Sequence, residues 1–177
     1  PSVSSAASDV YKRQDKYMGN ITNDVDLYDF EGYKIYRATD FEFNDAYNIT
    51  DGDGNPTFLE PYVQDGVRAQ WDLVNGKSGW HPVDLNGIKY YLGNETGLVH
   101  SYVDNDVVNG QRYYYAVVSY DYGGDLTNNI LPSDSPMKLR VNPLTGVVSL
   151  GPNVVEVVPS PPSAGFVDAS FAGDQVD

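Results

Sequence analysis

QRYYYAVVSY, residues Gln111 to Tyr120, is the stretch whose reading decides the fold class. Aromatic and β-branched side chains crowd it, and these suit the pleated, half-buried surface of a strand better than a helix. Val108-Asn109-Gly110 stands just before it, and the Asn-Gly pair favours the positive φ of a tight turn. A second strand reads FEGYKIYR, Phe30 to Arg37, where apolar side chains alternate about Tyr33 and Ile35. Val99 to Val103 predicts a third, short strand, broken by Asp104-Asn105-Asp106.

Composition agrees with an all-β chain. Among 177 residues there are 20 Asp but only five Glu, and Asp belongs to turns rather than helix interiors. Fifteen tyrosines add β propensity. The formal charge of −14 repels phosphate backbones and anionic lipid, which argues against nucleic acid and against a membrane surface as partners. No run approaches the roughly 18 consecutive apolar residues of a membrane-inserted helix. Cysteine is absent, so neither a disulfide framework nor a thiolate metal site is available.

The run GLVHSYVDNDVVNGQRYYYAVVSYDYGG, Gly97 to Gly124, resembles strands E and F of a fibronectin type III domain. The family places an apolar residue three before a Gly and a Tyr three after it, followed by alternating core residues. Here those are Val107, Gly110, Tyr113, Tyr115 and Val117. FEGYKIYR resembles strand C. LPSDSP followed by MKLRV, Leu131 to Val141, resembles the F–G loop and strand G. The resemblance implies an immunoglobulin-like β-sandwich over residues 15–142. It makes Tyr113 the tyrosine-corner residue, its hydroxyl bonding back to the backbone of the E–F connection.

Two departures shape the expectation. Strands A and B should precede strand C, yet only Asp15 to Asp29 is present there, an Asn- and Asp-rich stretch that reads as a B–C loop. The sandwich is therefore expected to be incomplete. Pro1 to Gln14 resembles the conceptual translation of a sequencing adapter, as found at the ends of assembled metagenomic genes. That reading sets residues 1–14 aside as a disordered artefact and makes the chain a fragment. Between strands C and E, residues 38–96 form a long insertion with short strand candidates in NPTFLEPYV, AQWDLV and GIKYYLG. If Tyr33, Ile35, Tyr113, Tyr115 and Val117 face the sandwich core, then Tyr36, Tyr114, Ala116, Val118 and Tyr120 face away from it. So apolar a face needs a cover. Aromatics of the insertion, led by Trp71, are expected to supply it; the rival reading makes the same aromatics, with Trp80, a binding platform.

After Asn142 the chain turns Pro- and Gly-rich. NVVEVV, Asn153 to Val158, is one more strand candidate: either the true last strand or a partner of MKLRVN through the turn Pro143 to Gly146. PSPPSAGFVDASFAGDQVD beyond it has the composition of a linker.

Candidate chemistry is sparse. Asp51, Asp53 and Asn55 place three oxygen side chains at alternating positions, a spacing that suits calcium (Ca2+), the one cofactor to consider. Pro56 stands where an EF-hand needs Gly, and the preferred reading is an ordinary turn. His81 and His100 lack ligands at metal-binding spacing, and no nucleophile elbow or acid pair in a cleft is visible. The expected role is a non-catalytic structural, adhesion or spacer module of a larger bacterial protein, secreted or at the cell surface. Its partners would be neighbouring domains of the same parent chain, a polysaccharide or a surface protein. The alternative is an accessory carbohydrate-binding module of a secreted hydrolase, its aromatics stacking on sugar rings.

Overall fold

The computed structural model describes residues 29–161, apart from 128, 138 and 147. Its regular elements are β1 (Phe30–Ala38), β2 (Asn48–Thr50), β3 (Pro56–Leu59), β4 (Val63–Gln64), β5 (Val67–Arg68), β6 (Gln70–Asp72), β7 (Gly79–Leu85), β8 (Ile88–Gly93), β9 (Tyr113–Asp121), β10 (Leu139–Val141), β11 (Val148–Leu150) and β12 (Val154–Val157). Each pairing between them is antiparallel. The described chain is all-β, with sheets compatible with a β-sandwich. The adapter-like residues 1–14, the expected B–C loop over 15–28 and the linker-like residues 162–177 lie outside the described residues.

The two strands that the pattern marked most clearly form the centre of the molecule. β1 and β9 pair from Phe30↔Asp121 to Ala38↔Tyr114, with one slip at Glu31. β6 flanks β1 and β12 flanks β9, giving the order β12-β9-β1-β6. Period-two geometry then sorts the side chains. One face carries Lys34, Tyr36, Ala38, Tyr114, Ala116, Val118 and Tyr120, with Gln70 and Val154 beside them. The other carries Tyr33, Ile35, Arg37, Tyr113, Tyr115 and Val117, with Trp71, Val155 and Val157.

The face expected to point away from the core is the main core. Tyr36, Tyr114, Ala116, Val118 and Tyr120 are each at most 6 % exposed, whereas Tyr33, Tyr115 and Val117 are only half-buried. Tyr113 and Ile35 are buried on the second face, so both faces are used. Phe43, Ala46 and Leu59 pack on one part of the main core, with Met137 and Leu150. Phe58, Tyr90 and Leu92 close over Tyr120. The long insertion thus does cover this face, but Trp71 takes no part. It sits opposite Tyr33 in register, on the second face, with its ring 5.4 Å from that of Tyr102. Parity explains the difference: Trp71 and the residues it was expected to shield lie on opposite sides of the pleat.

Two further expectations are corrected. Val99 to Val103 forms no strand; among the described residues it has no ladder partner, and side chains hold it instead. MKLRV does not flank β9, because β10 folds back on β11 through a turn that the Asn142 side chain caps. Of the two readings of Asn153 to Val158, the first holds: β12 is the last strand and pairs with β9 on the side away from β1, not with MKLRVN. Asn153 anchors it, its amide donating to the carbonyls of Val117 and Pro136.

Contact requires glycine at position 32. A Cβ on Gly32 would collide with the Trp71 carbonyl oxygen and the Tyr120 ring, so β6 approaches β1 this closely only over a residue without a side chain.

Candidate functional site

Two charged clusters tie the loops to the central sheet, one on each face. On the second face, the Arg37 guanidinium lies 3.8 Å from the Tyr62 ring centre and donates to Asp104 Oδ2 at 2.9 Å and to the Asp106 carbonyl at 2.7 Å. Asp104, 8 % exposed in its side chain, also accepts the Tyr115 hydroxyl at 2.7 Å and the Asp106 N–H. These donors together hold its carboxyl below the usual range against the opposing effect of burial. Tyr62 and Tyr102 complete the attachment, bonding to Asp104 and Gln64. The connection over residues 98–108 therefore crosses the second face pinned by side chains.

On the main-core face, Lys34 is 3 % exposed and lies over the Tyr90 ring at 3.7 Å and the Tyr120 ring at 4.9 Å. Its ammonium stands 3.6 Å from Asp134 Oδ1. Tyr90 donates its hydroxyl to Oδ1 and Tyr36 donates to Oδ2, both at 2.5 Å. Burial lowers the Lys34 pKa, and Asp134 opposes that effect. Burial and the adjoining carboxylate push the Tyr36 and Tyr90 phenols well up, so both remain donors. The Tyr120 hydroxyl turns to the Leu92 carbonyl and receives the Gln70 amide. Lys34 and Asp134 stand 100 positions apart in the sequence, within FEGYKIYR and LPSDSP. A lone Lys on the apolar face of a strand was the signal that could have found the pair.

The Asp51–Asn55 loop is a turn secured from within. Asp51 Oδ1 accepts the N–H groups of Asp53 and Asn55, and Oδ2 accepts the Asn86 amide from the β7–β8 turn. These bonds hold the Asp51 carboxyl below its ordinary range. Asp53 and Asn55 are exposed, and among the described residues no group of three or more His, Cys, Asp or Glu is gathered as a metal site.

Trp80 is 57 % exposed and meets Tyr91 at 5.0 Å with the planes 64° apart, so the two rings do not form one flat surface. His81 is buried on β7. Its Nδ1 accepts the Val83 N–H and its Nε2 faces the Gly124 carbonyl at 2.7 Å, which makes Nε2 the protonated nitrogen. His100, expected within a strand, is exposed on the 98–108 connection. Val107 is half-buried and Gly110 is exposed with a φ of 84°. The Tyr113 hydroxyl accepts the Val108 N–H at 3.0 Å, a bond to the backbone five residues upstream.

Acids also gather where β1 begins and β9 ends. Burial and the Asp121 charge push Asp29 up to about 6. Burial likewise raises Glu31 and Asp121. Asp29 accepts the Gly123 N–H, Asp121 accepts the Ser133 N–H and hydroxyl, and Asn75 donates to Glu31. Comparison of the chain with family models, curated proteins and solved structures gives no match.

Proposed function

We propose that this chain is a non-catalytic structural or adhesion module, fibronectin type III-like in its sheet, belonging to a larger extracellular or cell-surface protein. The observation that carries this reading is the use made of the charged residues. Arg37, Asp104, Lys34, Asp134 and Asp51 are all engaged in bonds that fasten one segment of the chain to another. A catalytic site needs groups directed at a substrate; these are directed at neighbouring loops. The order β12-β9-β1 matches the G-F-C order of the family's sheet, and Tyr113 bonds to the turn before its strand as a tyrosine corner does. Val155 and Val157 are exposed on the second face, where a further sheet or a neighbouring domain of the same parent chain would find an apolar surface.

A carbohydrate-binding reading rests on Trp80 alone among the tryptophans, since Trp71 is half-buried against Tyr102. Tryptophan fluorescence during titration with soluble polysaccharides decides between the two. The structural reading expects no saturable change for the chain or for Trp80→Ala. Saturable binding that Trp80→Ala abolishes would establish the carbohydrate module instead.

A further inference from the structure

We propose that Lys34 and Asp134 react with one another to form an intramolecular amide, which ties β1 to the 131–136 segment by a covalent bond. The two groups are held for it. Lys34 projects from β1, one of the two inner strands of the sheet, and its Nζ is held against the Tyr90 and Tyr120 rings. Asp134 is fixed by its backbone: it bridges to Tyr120, and on either side Asp121 N–H donates to the Ser133 carbonyl and Ser135 N–H to the Ser119 carbonyl. The amine and the carboxyl therefore meet at 3.6 Å with little freedom to part, which is the condition for a high effective concentration. Glu60, the other carboxylate whose charge reaches Lys34, is engaged by Arg68 at 2.5 Å.

The surroundings also suit the chemistry. A dry setting disfavours a separated ammonium and carboxylate, and Lys34 is already pushed toward its neutral form. The ammonium passes one proton to the carboxylate, leaving an amine beside a carboxylic acid. The amine lone pair then forms the Nζ–Cγ bond and the Cγ–OH bond breaks. The hydroxyl departs with a proton from nitrogen, as water. Nothing is oxidised or reduced, and no further reactant is consumed. Negative charge that develops on the carboxyl oxygens during attack faces the Tyr36 and Tyr90 hydroxyls, donors already aimed at those atoms. The Asp134 side chain is 26 % exposed, which gives the water a way out.

Mass spectrometry of the intact, denatured full chain tests this, because it needs no variant to fold. The expected mass is one water, about 18 Da, below that of the sequence. Trypsin should fail to cleave after Lys34 and should release a branched peptide that contains both Lys34 and Asp134. A mass equal to that of the sequence overturns the proposal. So does a one-water deficit that maps to the Asp-Gly pairs at Asp51, Asp53 or Asp65 and not to Lys34. Lys34→Arg keeps a cation beside Asp134 but lacks the amine. It should show the full mass, and a persistent deficit there also overturns the proposal.

Discussion

The Tyr36 hydroxyl donates to Asp134 Oδ2 at 2.5 Å across 98 residues of sequence, and so links the middle of β1 to the segment that follows β9. The phenol has few alternatives, since Tyr36 is 1 % exposed. Tyr36→Phe keeps the ring in the core and removes only this donor. It is expected to lower stability by ~1–2 kcal/mol, read from the midpoint of urea unfolding. An unchanged midpoint would mean that the bond adds nothing to the folded state.

Gly32→Ala should be among the costliest small changes in the chain. The added methyl meets the Trp71 carbonyl and the Tyr120 ring, so β6 must shift away from β1. A loss of about 1–3 kcal/mol is expected, as for other overpacked cores. Near-UV circular dichroism should change as well, because aromatic rings line the contact. Gly52→Ala, where nothing lies within 4 Å, is the control and should unfold like the parent.

Stability should depend on pH through the acids at the β1–β9 end. Asp29 is raised to about 6, and Asp121 and Glu31 are raised too, so the folded state holds protons that the unfolded chain releases. Their contribution is full below the ordinary carboxylate range and is lost as pH rises above it, in the case of Asp29 through about 6. Asp104 and Asp51, both lowered, act in the opposite sense: their contribution is lost as pH falls below the ordinary carboxylate range. Asp29→Asn can still accept the Gly123 N–H but cannot titrate. Melting temperatures measured between pH 4 and 7 should therefore fall less steeply with rising pH in this variant than in the parent. Equal slopes would place Asp29 in an ordinary, solvated setting.

The Asp51 turn should not need a cation. Asp51→Ala is expected to lower the melting temperature equally with calcium or with a chelator, because what it removes are N–H bonds from Asp53, Asn55 and Asn86. A melting temperature that rises with calcium in the parent and not in Asp51→Ala would make the loop a calcium site.

The sequence revealed β1 and β9 because each carries dense aromatic and β-branched residues. It could not reveal which face is the core. In Tyr113-Tyr114-Tyr115-Ala116-Val117-Val118 every position is apolar, so the run says that a strand is present, but with no alternation it does not say which side is inside. The two faces differ in what covers them, and that depends on distant segments such as Phe43 and Tyr90. Val99 to Val103 looked like a strand by composition, yet a strand needs a partner. Here Tyr102 meets Trp71, and nearby Asp104 binds Arg37. β12 and MKLRV were both legible as strands, but not which of them joins the sheet. Asn153 makes that choice through bonds to Val117 and Pro136 that no local pattern encodes. The partners of Lys34 and Arg37 are hidden for a related reason: only the fold brings Asp134 and Asp104 to them.

The claim that the charged residues serve as internal fastenings is tested most directly by a double-mutant cycle on Arg37 and Asp104. Urea unfolding of the parent, Arg37→Met, Asp104→Asn and the double variant gives the coupling between the two side chains. The pair is largely buried and donates from a charged group, so a coupling of about 1–3 kcal/mol is predicted, with each single variant clearly less stable than the parent. Single variants as stable as the parent, with no coupling, would contradict the account and leave Arg37 and Asp104 free to serve a ligand.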